Sequence, residues 1–135
     1  MISNSSDKVK ILKPLILERT PKTPRVVLDA NNLLFEIRGR ILPEDSLSFF
    51  NPILDWLDTY TQNPAQDTLL LIELEYFDTV GSLMLLSIFK KLELIHNQGN
   101  SVHINWLVEH GDTDMIEAGE DFAMQLSLHF EIVEL

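Results

Sequence analysis

The sequence of 135 residues predicts an α/β fold, in which helices cover mostly one face of a single mixed β-sheet. Strand-like segments dominate the first third of the chain, and helix and strand patterns then alternate three times toward the C-terminus. The helices supply the crossover connections that parallel strand pairing requires. The continuous apolar run at residues 69–72 (LLLI) favours a central strand that is buried on both faces.

The N-terminal third carries the antiparallel part of the predicted sheet. Residues 15–20 form a first strand, which stops before Pro21 and Pro24 because proline fixes φ and has no N–H to donate. Residues 25–29 and 33–38 form a hairpin around an Ala-Asn-Asn turn.

The rest of the chain alternates between helices and strands. The first helix begins at Pro43-Glu44-Asp45 and ends near Thr61, and Pro52 inside it predicts a kink. Its apolar stripe consists of Leu47, Phe50, Leu54 and Leu57. The later elements are strands at residues 68–77, 101–108 and 130–135 and helices at residues 80–97 and 112–127.

Charge and composition limit the function classes. A net charge of −11 argues against nucleic acid, whose phosphates would be repelled. Six of the ten basic residues lie in the first 25, so the acidic remainder favours a basic protein partner. Residues 1–14 are expected to form a flexible arm and residues 15–135 a single domain. No membrane-length apolar run and no secretion leader is recognisable, so a soluble cytoplasmic protein is expected.

No catalytic set, metal site or cofactor site is predicted, so the chain is not expected to be an enzyme. The sequence has no cysteine, and its four histidines are scattered without the paired spacing of metal ligands. The acidic run at residues 109–121 lacks the ligand spacing of a calcium loop. A Gly-rich phosphate loop and a Gly-x-Ser-x-Gly elbow are both absent from the sequence.

The junction between the strand at residues 68–77 and the following helix is the most informative feature. It places the Thr79 hydroxyl beside the unpaired N–H groups and the positive end of the helix dipole. A phosphoryl group there would meet favourable donors. Ser82, one turn further on, is a second candidate for phosphorylation. In the alternative interpretation, the Thr79 hydroxyl only caps the helix. If Asp78 is the cap instead, the Thr79 hydroxyl is left for phosphorylation.

The helix after the junction is apolar around most of its circumference. Its core side is expected to consist of Leu85, Phe89 and Leu92. Val80, Leu83 and Leu86 then form a candidate partner-binding patch, although flanking loops would cover them in the alternative interpretation. Glu75, which shares a strand face with Glu73, is included in this candidate site. In the alternative interpretation, the two carboxylates lie at a solvated sheet edge.

The order of elements, with a Thr at the start of the helix after the central strand, resembles the STAS-like fold of bacterial anti-sigma-factor antagonists. Five segments are more specifically similar to the SiaC family of regulatory phosphoproteins, and the resemblance runs from about Leu17 to Leu135. They are residues 19–24 (RTPKTP), 50–57 (FNPILDWL), 73–77 (ELEYF), 104–106 (INW) and 114–123 (DMIEAGEDFA).

The resemblance implies a phospho-switch that is neither an enzyme nor cofactor-dependent. In this family a serine/threonine kinase phosphorylates the strand–helix junction, and a PPM-type, metal-dependent phosphatase reverses the modification. The unphosphorylated form binds and activates a diguanylate cyclase, which raises cyclic di-GMP and promotes surface attachment. By the family pattern, Thr79 is the phosphoacceptor.

The sequence departs from the family pattern at the junction itself. Where that pattern has Asn-Thr followed by several serines and a lysine, this chain has Asp78, Thr79, Val80 and Gly81. Asp78 and Gly81 look more like the Asp-Ser-Ser-Gly motif of the antagonists, in which Val80 would replace the phosphorylated serine. Thr79 is favoured because it stays at the helix start in either alignment.

Two other function classes stay open. One is an anti-sigma-factor antagonist that binds an anti-sigma kinase. The other is a small-molecule sensor with a pocket near Phe77 and Trp106, at the carboxyl end of the sheet.

Overall fold

A computed structural model of the chain describes residues 12–42 and 46–135, which contain six strands and three helices. The strands are β1 (Leu15–Leu17), β2 (Arg25–Asp29), β3 (Leu34–Ile41), β4 (Asp67–Phe77), β5 (Ser101–Val108) and β6 (His129–Glu134). The helices are α1 (Ser46–Tyr60), α2 (Thr79–Asn97) and α3 (Thr113–Met124).

The strands form one mixed sheet in the order β1-β2-β3-β4-β5-β6. β1, β2 and β3 pair antiparallel, whereas β3, β4, β5 and β6 pair parallel. A helix precedes each parallel strand that joins the sheet after β3, because parallel neighbours need a crossover. The predicted mixed sheet, with an antiparallel N-terminal part, is confirmed.

The core lies between the sheet and the helices, on one face of the sheet. Phe35 and Ile37 of β3 and Leu70 and Ile72 of β4 point to this face and are buried. The opposite face of β4 is open, and Leu69 on it is 43% exposed. Helices on one face are therefore confirmed, but the prediction that residues 69–72 are buried on both faces is wrong. The prediction of two buried faces failed because the open face of β4 also carries leucines.

The N-terminal strands differ from prediction at their ends. β1 ends at Leu17, three residues early, and a turn follows in which Thr20 N–H donates to Thr23 O at 3.0 Å. The predicted hairpin of β2 and β3 is confirmed. β3 starts one residue late because Leu33, at φ 53°, belongs to the turn, and it continues to Ile41.

Helix α1 covers the antiparallel side of the core. Its predicted first residues, 43–45, lie outside the described part of the chain. The predicted stripe is wrong at Leu47, which is 61% exposed in the first turn, and the buried face begins at Phe50. Trp56 Nε1 donates to Lys13 O at 2.7 Å, and Leu12 packs against the core. Residues 12 and 13 of the predicted arm therefore contact the domain, while residues 1–11 are outside the description.

Helix α3 packs tightly against Trp106 of β5. The indole is buried, and its Nε1 donates to Met115 O at 2.9 Å. A Cβ built at Gly119 would lie 2.6 Å from Trp106 Cδ1, so residue 119 has no room for a side chain. Asp112 caps α3 by accepting from Met115 N–H, which explains why the helix proper starts one residue later than predicted.

Within residues 12–42 and 46–135, none of the helices combines the length and the apolar character that crossing a bilayer requires.

We expect Gly119→Ala to lower the free energy of unfolding by about 1–3 kcal/mol, because the new methyl group would press on the buried indole of Trp106. Urea unfolding monitored by circular dichroism measures the change. Glu120→Ala, at the next and exposed position of the same helix, is the control and should change stability by less than about 0.5 kcal/mol. Equal effects of both variants would show that the close approach at residue 119 is not limiting.

Candidate functional site

The candidate site is the junction between β4 and α2, at the carboxyl end of the parallel strands. β4 ends at Phe77, and Asp78 follows in an extended conformation at φ −92° and ψ −177°. Its Oδ1 accepts a hydrogen bond from Gly81 N–H at 2.7 Å, so Asp78 is the N-cap of α2. Thr79 is the first residue of the helix.

Two contacts fix the junction against the sheet. The Phe77 ring packs against the Trp106 and Phe122 rings, at centroid distances of 5.9 and 6.1 Å. On the helix side, a Cβ built at Gly81 would lie 2.8 Å from Ile41 Cγ2. The absence of a side chain at residue 81 thus lets the first turn of α2 approach β3. Phe77 and Trp106, near which a small-molecule pocket was the alternative, thus contact each other directly.

The Thr79 side chain is exposed, and no hydrogen bond of its hydroxyl is found within the described residues. Because Asp78 supplies the cap, the Thr79 hydroxyl is not consumed by helix capping. Ser82, the second candidate, is half-buried, and its N–H donates to Asp78 O at 2.9 Å. The more accessible of the two hydroxyls is therefore that of Thr79.

An apolar surface begins directly after Thr79. Val80 is 43% exposed and Leu83 is 58% exposed, whereas Leu86 is half-buried and packs against the core. Leu83 and Leu86 line a shallow groove with Leu54 of α1 and Leu94 of α2, and Ser87, Lys90, Lys91 and Glu93 form its polar part. The described loops do not cover Val80 or Leu83.

A charged cluster lies on the open face of the sheet, close to the junction. Gly39 pairs with Leu74 and Arg40 pairs with Tyr76, so Glu75 is an extra residue of β4 and forms a bulge. Its carboxylate accepts from Arg19 at 2.7 Å and from Arg40 at 2.9 Å. The hydrogen bond from Arg19, followed by the one from Arg40, lowers the pKa of Glu75 below its ordinary value.

The neighbouring carboxylate, Glu73, has a separate partner. Arg38 donates to Glu73 at 2.6 Å and to Glu36 at 3.1 Å. Glu73 and Glu75 both lie on the open face of the sheet. They are not a bare solvated pair, because guanidinium groups link them to β3 and to the loop after β1.

Two of the four histidines, although distant in sequence, are neighbours in the sheet. His103 and His129 pair in the register of β5 and β6, and their ring centroids are 4.6 Å apart. Sequence spacing does not show this proximity, because it depends on the register of β5 and β6. No group of three or more His, Cys, Asp or Glu residues suited to a metal ion occurs within the described ranges.

Comparison with known proteins gives the context of this junction. The family model described as "SiaC family regulatory phosphoprotein" matches residues 17–135. The chain belongs to the SiaC family of regulatory phosphoproteins. An uncharacterized protein of Pseudomonas aeruginosa (strain UCBPP-PA14) is 24% identical over 121 residues, which cover 90% of this chain and 96% of that protein.

Solved structures of SiaC of Pseudomonas aeruginosa have the same fold. One matches with a TM-score of 0.83 at 24% identity and covers 91% of this chain and 99% of the other. Another is a crystal structure of the diguanylate cyclase SiaD in complex with its activator SiaC, matched with a TM-score of 0.84 at 24% identity over 90% of this chain and 99% of that one. The family and the α/β fold inferred from sequence segments are thus confirmed.

Sequence reasoning singled out Glu75 and the junction residues but missed Arg19 and Arg40. Arg19 belongs to the RTPKTP segment, which carried only the family resemblance. The one available signal was the alternation of Glu36, Arg38 and Arg40 along β3, which predicts charges on one strand face. Which carboxylate each arginine meets depends on the register of β3 and β4.

We expect Asp78→Ala to lower the free energy of unfolding by about 1 kcal/mol, because it removes the side chain that caps α2. Thr79→Ala should change it by less than about 0.5 kcal/mol, because the hydroxyl holds no described partner. Urea unfolding of both variants at pH 7 separates the roles. A loss in Thr79→Ala as large as that in Asp78→Ala would make Thr79 part of the cap.

Proposed function

We propose that this chain is a phosphorylation-controlled activator of a diguanylate cyclase and that Thr79 is its phosphoacceptor. In this proposal the chain is not an enzyme and acts in the cytoplasm. The observation that carries the proposal is the exposed Thr79 hydroxyl, left out of helix capping by Asp78, at the edge of the apolar surface of Val80 and Leu83. Membership of a family of regulatory phosphoproteins supports this function.

The mechanism is electrostatic. A serine/threonine kinase adds a phosphate that carries about −1.5 to −2 charges at pH 7, and a PPM-type phosphatase removes it. Val80, Leu83 and Leu86 form the centre of the partner-binding surface, and Glu75 lies at its sheet side. A partner that covers these side chains would have to desolvate the neighbouring phosphate, which is costly. Phosphorylation therefore blocks docking.

The fold tolerates the modification. The Thr79 side chain is exposed, and the phosphate would replace no described hydrogen bond. The positive end of the α2 dipole favours a negative charge in the first turn. Phosphorylation thus changes the surface offered to a partner while β4, α2 and the core keep their packing.

The nature of the partner follows from the surface and from the relatives. The exposed leucines and valine require a partner with an apolar contact surface, and the net charge of −11 favours basic residues around it. SiaC of Pseudomonas aeruginosa is described as the activator of the diguanylate cyclase SiaD, and a crystal structure holds the two in complex. We assign a cyclase partner to this chain on that likeness.

The first test is whether Thr79 is phosphorylated in the natural host. We expect peptide mass spectrometry of the protein purified from host cells to map a phosphate to Thr79 that a PPM-type phosphatase removes. Comparison of sessile and planktonic cultures tests the direction of regulation. A phosphate on Ser82 alone would move the switch one turn along α2. Unmodified protein under every growth condition would contradict the proposed phosphorylation.

The second test concerns the binding surface. Leu83→Glu should weaken binding of the unphosphorylated chain to the host cyclase by tenfold or more, because it places a charge at the centre of an apolar contact, a cost of about 1.4 kcal/mol. Leu69→Glu is the matched control, since Leu69 is 43% exposed on the open face of the sheet, opposite the helices. Isothermal titration calorimetry and cyclic di-GMP production supply the readouts. Equal loss in both variants would show that the effect does not come from the surface around Leu83.

Thr79→Ala extends this test to the switch itself: it should bind the cyclase like the unphosphorylated chain and resist inhibition by the kinase. Loss of binding in this variant would make the hydroxyl a direct contact.

A further inference from the structure

The cluster of Arg19, Glu75 and Arg40 carries more positive than negative charge. Two guanidinium groups donate to the single Glu75 carboxylate, at 2.7 and 2.9 Å. By contrast, Arg38 stands between two carboxylates, those of Glu36 and Glu73. The cluster itself therefore carries one excess positive charge in a chain whose net charge is −11, and the junction adds the carboxylate of Asp78.

Arg40 also has an unused donor. Its Nε is buried and has no hydrogen-bond partner within the described part of the chain, whereas its Nη2 binds Glu75. A buried guanidinium donor without an acceptor is unfavourable and rare in folded proteins. The Arg40 side chain as a whole is 43% exposed, so its guanidinium is accessible to an additional strong acceptor.

Arg40 lies within reach of the phosphoacceptor. It pairs with Tyr76 across the β3–β4 ladder, and Tyr76 precedes Thr79 by three residues. The next residue of β3, Ile41, pairs with Phe77 and contacts the first turn of α2 at Gly81. Neighbouring strands are about 4.8 Å apart, and two or three residues span at most about 10 Å. The Cα atoms of Arg40 and Thr79 are therefore at most about 15 Å apart, and the two long side chains extend from them.

We propose that Arg40 is the internal receptor for the Thr79 phosphate, exchanging the Glu75 carboxylate for the phosphate when the chain is phosphorylated. This inference rests on the proposed phosphorylation of Thr79 and states which side chain binds the phosphate in the modified chain. A phosphate offers more charge and more acceptor oxygens than a carboxylate, and arginine binds it through a two-pronged contact. The exchange needs a new rotamer of Arg40 that turns its guanidinium around the end of the sheet.

The exchange has two consequences at the surface. Glu75 keeps Arg19 as its partner, so its carboxylate is not left alone when Arg40 departs. The Arg40 guanidinium moves from the open face to the end of the sheet, toward Val80. Phosphorylation thus changes two places on the surface at once, the apolar patch and the bulge at Glu75.

The test uses the full chain with phosphothreonine installed at residue 79 by amber suppression. Phosphorus NMR then follows the second ionisation of the phosphate, whose ordinary pKa is about 6. We expect this pKa to be higher in Arg40→Gln than in the otherwise wild-type phosphorylated chain by about half a unit or more, because a bound guanidinium favours the dianion. Arg40→Lys, which keeps the charge and loses the fork, should give an intermediate value.

Arg38→Gln is the matched control, because it removes the same charge from the same strand at a residue already paired with two carboxylates. An equal pKa change in Arg38→Gln and Arg40→Gln, or no change in either, would overturn the proposal. A measurement without any substitution guards against misfolding of the variants. The Arg40 Nε–H resonance of the phosphorylated chain should shift and exchange more slowly with water than in the unmodified chain, and an unchanged resonance would also refute the exchange.

The outcome is separable from that of the proposed function. Because the phosphate is installed during synthesis, the NMR result stands whether or not host cells phosphorylate Thr79. Absence of native phosphorylation would remove the proposed function alone, and an unresponsive Arg40 would remove this inference alone.

Discussion

The close approach of α2 to β3 at Gly81 is the constraint on which the site depends. A side chain at residue 81 would collide with Ile41, so the first turn of the helix lies directly on the end of β3. This contact, together with the Phe77 ring held between Trp106 and Phe122, determines where α2 starts. It also brings β3, the strand that carries Arg40, beside the residues that precede and follow Thr79. The apolar and the charged parts of the site are therefore both positioned by the contact between Gly81 and Ile41.

The surface around this contact has two sides that differ in charge. On the helix side, Val80 and Leu83 present apolar area, and the ion pairs of Lys90 with Glu93 and of Lys91 with Asp58 lie further along the groove. On the open sheet side, arginines and glutamates alternate across β3 and β4, and the bulge at Glu75 turns both Glu75 and Tyr76 outward before Phe77 returns to the core. A modification at Thr79 falls on the boundary and changes the electrostatic potential on both sides.

Much of the fold was predictable because it depends on local patterns. The alternation in β5 and the turn residues between β2 and β3 give those elements almost to the residue, and the sequence segments gave the family. The misreadings have non-local causes. Residues 69–72 suggested two buried faces because an open face can also carry leucines, and Leu47 fits the stripe of α1 but lies where the described core does not cover it. The junction was found because a helix start has a sequence signature. The Arg19–Glu75–Arg40 cluster was not, because it requires the register of β3 on β4 and the one-residue bulge.

The division of labour between Asp78 and Thr79 has a consequence for how such proteins diverge. Because Asp78 caps the helix and the Thr79 hydroxyl has no partner among the described residues, selection for a folded protein and selection for the proposed regulation act on different codons. Under the proposed phosphorylation of Thr79, a lineage can lose or regain regulation by a single substitution at residue 79 while Asp78 keeps its cap. Duplicated copies of such a gene can then separate into constitutive and signal-dependent forms while keeping the same partner surface.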